Sequence, residues 1–152
     1  MIYRVGSVLD TDAPALGHGV NCVGVMGAGV AAVIRARWPQ MFPVYRQACL
    51  DGALTPGGVL PWATDEPDVR VVYNMASQPR PGRCARLDLV EQAGVATLRD
   101  AAARGYDRVA IPKIGAGIGG LDWSAVQDRL AGLEVGTGVQ WEVWTPPHTY
   151  GS

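Results

Sequence analysis

Polar and apolar positions change period repeatedly along the chain, and each change marks an expected element. Met1–Val8 alternates and reads as a strand. Leu16–Val20 is a short apolar stretch interrupted by Gly17 and Gly19, the pattern of a buried strand approached closely by other backbone. Gly27–Trp38 carries Val30, Val33, Ile34 and Trp38 at helical spacing and stops at Pro39. A second helix is expected over Met41–Leu50, ended by Asp51-Gly52. Val59–Ala63 and Val69–Met75 are expected strands, with the turn residues Asp65-Glu66-Pro67-Asp68 between them. Gln78–Arg86, with two prolines and three arginines, is a loop. Leu87–Arg104 is the longest expected helix, with Gly105 as its stop. A β-branched strand over Arg108–Pro112 leads to a glycine loop and then to a helix reaching about Leu133, capped by Asp122 or Ser124. Gln140–Thr145 alternates as the last strand, and the tail from Pro146 is expected to be mobile.

Strands alternating with helices imply an α/β domain, a mixed sheet with helices on both faces, spanning 1–152 as a single unit. A chain of 152 residues can bury a core without disulfides or a structural metal. No apolar run approaches the roughly 18 residues needed to cross a bilayer. The start of the chain lacks a basic flank followed by an apolar stretch. A cytoplasmic protein with no membrane partner is therefore expected, and a monomer. Cys22, Cys49 and Cys84 are odd in number and widely spaced, and His18 and His148 are the two histidines. That set draws no zinc pattern, so neither a metal nor a cofactor is expected, and three reduced thiols fit the compartment. The formal net charge of -1 argues against a general electrostatic grip on nucleic acid, while leaving a local basic patch open. Lys113 stands alone against twelve arginines, so there is one candidate for a lysine catalyst.

Two glycine loops carry the chemistry. Asn21-Cys22-Val23-Gly24-Val25-Met26-Gly27-Ala28-Gly29-Val30-Ala31 follows one expected strand and opens a helix. Ile114-Gly115-Ala116-Gly117-Ile118-Gly119-Gly120-Leu121-Asp122-Trp123 does the same later. Glycines let backbone approach a ligand, and the free N–H groups of a helix start or of a nest favour an anion. In an α/β sheet both loops fall at the carboxyl ends of strands, where ligands bind. Two such loops could hold both phosphates of a diphosphate, or one phosphate and one sugar. The dinucleotide fingerprint is not met, and the P-loop lysine is absent.

VNCVGVMGAGVA followed far downstream by IPKIGAGIGGLDW resembles the macrodomain superfamily, and within it the branch of terminal ADP-ribose glycohydrolases and DNA ADP-ribosyl glycohydrolase antitoxins. The likeness runs from YRVGS to the terminal WEVWTP. It implies a three-layer α/β/α sandwich and ADP-ribose as ligand, free or attached to protein or nucleic acid. By this resemblance Asn21 would hydrogen-bond the distal ribose, and Gly27, Ala28, Gly29 and Val30 would line distal ribose and diphosphate. Gly115, Ala116, Gly117, Ile118 and Gly119 would cradle the diphosphate, and Trp144 with the start of the tail would lie near adenine.

The chain departs from that pattern at three places. Ser7 follows Gly6 where many members carry an adenine-reading aspartate, with Asp10 or Asp12 as substitutes. Gly119 stands where protein-glutamate deconjugating members carry an aspartate, and Asp122 reads as a helix cap. The stretch Asn74-Met75-Ala76-Ser77-Gln78-Pro79 lacks the lysine of lysine-using members, while Lys113 reads as covering a strand end with its stem. Asn21 and Gln78 are then the candidates to place a water, with the bound diphosphate as a base within the substrate. Arg80, Arg83 and Arg86 are either a solvated loop or contacts to phosphate or an attached nucleotide. His18 reads as a core histidine, and Cys22 has no expected histidine partner to make it a nucleophile. The expected activity is hydrolytic removal of ADP-ribose from a protein carboxylate or a nucleobase. The alternatives are a non-catalytic ADP-ribose reader and an ADP-ribose 1″-phosphate phosphatase.

Overall fold

A computed structural model of the chain describes residues 1–147. Of the expected tail, His148–Ser152 lies outside the described residues. In chain order the elements are β1 (Ile2–Val5), β2 (Ala15–Val20), α1 (Gly29–Arg37), α2 (Met41–Leu50), β3 (Val59–Ala63), β4 (Val71–Ala76), α3 (Leu87–Ala103), β5 (Arg108–Ile111), α4 (Trp123–Thr137) and β6 (Gln140–Thr145). The strands form one sheet in the order β1-β6-β5-β2-β4-β3. All neighbours run parallel except β3, which pairs antiparallel with β4. Among the described residues no helix is long and apolar enough to cross a membrane.

Helices cover both faces. Val90, Ala93, Leu98, Ala101, Val126 and Leu130 from α3 and α4 pack with Trp141 and Val143 on one side. Ile34, Met41, Tyr45 and Ala48 from α1 and α2 pack with Leu16 and Val72 on the other. This is the α/β/α sandwich with a mixed sheet. All six residues of β4 are buried, as covering both faces of a strand demands. The face of α3 that meets the sheet repeats at helical spacing through Leu89, Ala93, Thr97 and Ala101. Truncating the fully buried Leu98 to Ala would cost about 2–5 kcal/mol.

Several boundaries shift from the expected ones, β4 among them running Val71–Ala76 rather than Val69–Met75, and three further shifts stand out. The first strand ends at Val5, because the Ser7 hydroxyl accepts from Leu9 N–H and starts a tight turn over Val8–Asp10. The helix after the first glycine loop begins at Gly29 rather than Gly27. The last helix runs on past Leu133 to Thr137, where Gly138 takes a left-handed conformation (φ 72°) and closes it onto Glu134 O. Its start follows one of the two expected caps: the Asp122 side chain accepts from Ser124 N–H.

Candidate functional site

Parallel strands β2, β4 and β5 lie side by side, so the loops leaving their carboxyl ends converge. Between them opens a cleft of about 810 Å³. Asn21, Gly27, Ala28, Gly29 and Val30 line one wall; Gly115, Gly117, Ile118 and Gly119 line the other; Gln78 lies between. Two expected contributors do not line it. Ala116 is turned into its own loop, with its N–H on Lys113 O (3.2 Å). Trp144 packs its ring over Gly6 and donates its indole N–H to Glu142 at 2.6 Å, which commits its polar edge to the sheet.

The first loop is built around Asn21. Its Oδ1 accepts from Val23 N–H (3.0 Å), Val25 N–H (3.4 Å) and the Tyr45 hydroxyl (3.0 Å), and its Nδ2 donates to Val25 O (2.8 Å). Tyr45, fully buried on α2, also donates to Asn21 O at 2.7 Å. One Nδ2 hydrogen of Asn21 is left for a ligand. Asn21 is therefore first a scaffold residue. Helix α1 follows with Ala28 as its N-cap and no side-chain cap. The N–H groups of Gly29, Val30 and Ala31 have no carbonyl one turn back to bond, and they line the cleft. An uncapped helix start is an anion site.

The second loop closes on its own backbone. Gly120 N–H donates to Gly117 O and Leu121 N–H to Gly115 O. Gly115, Gly117, Ile118 and Gly119 N–H have no acceptor among the described residues. Gly119 is required by space: a methyl group there would come within 2.7 Å of Ala85 Cβ and 2.8 Å of Gly115 O. The same crowding excludes an aspartate side chain at that position. The loops nearly meet across the cleft, where a Cβ on Gly29 (φ +60°) would lie 3.2 Å from Ile118 Cδ1.

Gln78 holds the outer wall. Its Nε2 donates to Arg80 O (2.7 Å) and Gly82 O (3.0 Å), and Cys84 Sγ donates to Arg80 O (2.8 Å). With both amide hydrogens spent, its Oε1 remains as an acceptor beside Gly119. Ser77, next to it, also lines the cleft, with its hydroxyl against Gly19 and no protein partner among the described residues. Sequence reasoning did not single out Ser77; its position directly after β4, facing a glycine on β2, was the signal.

Lys113 is the one ionisable side chain among the described residues that line the cleft, and no carboxylate joins it. The Asp12 carboxylate, weighed above for adenine, pairs with Arg108 at 2.9 Å, and that hydrogen bond holds its pKa below the usual range. Burial, with a further contribution from Cys49, pushes the Cys22 thiol up to about 11, so it is not a nucleophile at neutral pH. His18 is buried on β2. Its Nε2 meets Asn74 Oδ1 at 2.7 Å while its Nδ1 has no partner among the described residues. Burial lowers its pKa to about 4, against a smaller upward pull from Asn74. Among the described residues no group of three His, Cys, Asp or Glu is placed to hold a metal.

The macro domain family model matches residues 18–130, which contain both loops, β4, β5 and the end of β2. The chain belongs to the macro domain family. This macro domain is 34% identical over 129 residues to the DNA ADP-ribosyl glycohydrolase of Mycobacterium tuberculosis, covering 84% of this chain and 37% of that protein. It is 32% identical over 145 residues to the DNA ADP-ribosyl glycohydrolase of Thermus aquaticus, covering 91% of this chain and 39% of that one. The chain thus spans about two fifths of the length of these curated relatives. The solved macrodomain of Mycobacterium tuberculosis DarG superposes with a TM-score of 0.87 at 31% identity, covering 95% of this chain and 97% of the other.

Proposed function

We propose that this macro domain binds ADP-ribose between its two loops and removes it hydrolytically from a nucleobase. The observation that carries the reading is the pair of facing N–H arrays. Three orphan groups at the start of α1 oppose four unpaired groups on the second loop, in a cleft that among the described residues is lined by one cation and no carboxylate. A diphosphate meets that arrangement with several charge-assisted hydrogen bonds. Nucleobase rather than protein carboxylate is favoured by the relatives, both named for DNA ADP-ribosyl glycohydrolase activity. The absence of room for an aspartate at Gly119 points the same way.

With the diphosphate seated, the distal ribose lies toward Asn21, Ser77 and Gln78. A water held by Gln78 Oε1 and the Ser77 hydroxyl attacks the anomeric carbon as the bond to the base breaks. The diphosphate accepts the proton the water loses, and the departing base takes up one proton from solvent in exchange. Lys113 offsets the diphosphate charge. The protein's contribution is position and charge complementarity, since no carboxylate among the described residues lines the cleft.

The test is incubation with an ADP-ribosylated oligonucleotide, an ADP-ribosylated glutamate peptide and ADP-ribose 1″-phosphate, with products separated by chromatography. Free ADP-ribose from the oligonucleotide is expected. Release from the peptide alone, phosphate release alone, or binding without product would each overturn the reading. Ser77→Ala is expected to lower kcat by about 10²-fold while leaving ADP-ribose affinity unchanged.

A further inference from the structure

Charge on this chain is not evenly spent. Arg37, Arg86, Arg104, Arg108 and Arg129 each lie within 4 Å of a carboxylate. The other seven arginines have no such partner among the described residues, and of these Arg80 and Arg83 flank Pro81 and Gly82. Both are exposed, and both sit on the loop whose intervening residues, Pro81 and Gly82, line the cleft.

That loop is held in place rather than left to solvent. Gln78 ties Arg80 O and Gly82 O, Cys84 Sγ donates to Arg80 O, and Ala85 N–H reaches Gly119 O at 3.3 Å. The Arg83 side chain lies against the second loop, with its guanidinium carbon 3.2 Å from where a Cβ on Gly120 would stand. Two exposed arginines are therefore carried on a fixed backbone at the rim of a cleft whose lining, among the described residues, holds Lys113 as its one cation. An arginine fork on a fixed loop suits phosphate oxygens outside the cleft, since the cleft's N–H groups already satisfy those inside it.

We propose that Arg80 and Arg83 grip the phosphates that flank the modified nucleotide, so that the enzyme selects an ADP-ribosylated residue within a strand over the same residue alone. This rests on the nucleobase reading above and adds to it the residues that read the polymer. Phosphates repeat along a strand on both sides of the modified base, and contacts to them position the substrate without reading its sequence. The overall charge of -1 then matters little, because the grip is local.

The test compares kcat/KM on an ADP-ribosylated single-stranded oligonucleotide and on the matching ADP-ribosylated mononucleoside, across a salt series. The wild-type protein is expected to prefer the oligonucleotide by about tenfold at low salt, with a log–log salt slope near −1.4 for two phosphate contacts. Arg80→Ala with Arg83→Ala is expected to abolish both the preference and the slope, while mononucleoside turnover and ADP-ribose affinity stay unchanged. Arg80→Lys with Arg83→Lys is expected to keep most of the slope. An unchanged preference in the double alanine variant, or a salt-independent one, would overturn the proposal. An equal loss on an ADP-ribosylated peptide would assign the arginines to a protein partner and overturn it as well. Should the wild-type protein turn over neither substrate, the nucleobase reading fails first. Fluorescence anisotropy with the same oligonucleotide then still reads the grip: equal binding by wild-type and double alanine protein overturns it, and weaker binding by the variant supports it.

Discussion

After β2, one side chain organises the loop: Asn21 accepts three donors and returns one to Val25 O. After β5, the backbone turns close on themselves through Gly117 O and Gly115 O, and no side chain is used. Both loops present free N–H groups to one cleft, yet they are vulnerable to opposite changes. The first is unmade by deleting a side chain, the second by adding one. Similar glycine content along the sequence thus hides two different ways of holding backbone open for an anion.

The largest effect is expected from the smallest addition. Gly119→Ala places a methyl group against Ala85 Cβ and Gly115 O and forces the second loop to move. Titration should show ADP-ribose affinity reduced by more than about 100-fold, with a stability loss of about 1–3 kcal/mol. Gly117→Ala, with nothing within 4 Å, should leave the melting temperature unchanged and so confine the effect to crowding.

Acid should destabilise the strand that carries the first loop. His18 lies on β2, three residues before Asn21, and its folded pKa of about 4 is below the ordinary 6.5. Its neutral form is favoured by folding, so no penalty exists above pH 6.5. Stability is lost as pH falls from 6.5 toward 4, by about 3 kcal/mol at pH 4. Urea unfolding at both ends of that window should show the loss, and His18→Gln should flatten that part of the profile.

Deleting the scaffold side chain comes next. Asn21→Ala leaves Val23 N–H and Val25 N–H short of an acceptor, while the Tyr45 hydroxyl keeps its bond to the residue 21 carbonyl, and should cost about 2 kcal/mol and weaken ADP-ribose binding roughly tenfold. Asn21→Asp keeps the acceptors and loses the bond to Val25 O, so it should fall between wild type and Ala. The smallest effect belongs to Tyr45→Phe, which keeps the buried ring and removes a hydroxyl bonded to Asn21 O. A loss of about 1 kcal/mol in chemical denaturation is expected, with the second loop's hydrogen exchange unaltered.

The layered fold was legible because the apolar runs are short, punctuated and strongly periodic. Val59–Ala63, Met41–Leu50 and Gln140–Thr145 take the bounds their flanking turn residues imply. The helix after Asp122 outran its expected end because Gly132 and Gly136 face open space and cost only propensity, whereas Gly138 supplies the left-handed stop. Within the cleft, positions marked by glycine could be read from spacing, since glycine is informative wherever backbone must come close. The roles of Asn21 and Gln78 could not be read that way. Each depends on partners fixed by the fold, Tyr45 on α2 for one and the backbone of the 80–84 turn for the other. The same holds for Trp144. The resemblance puts it near adenine, and its indole N–H is taken by the buried carboxylate of Glu142 two residues away, a partner that spacing does not reveal.

The joint action of the two loops is most directly tested by calorimetric titration of the wild-type protein with ADP-ribose, AMP and ribose 5-phosphate. If both N–H arrays share one diphosphate, ADP-ribose binds at micromolar concentration or tighter, and at least about 100-fold more tightly than either fragment, a difference of about 2.7 kcal/mol. Equal affinity for ADP-ribose and one fragment would mean that a single loop does the binding, and the account of a shared diphosphate site would be wrong.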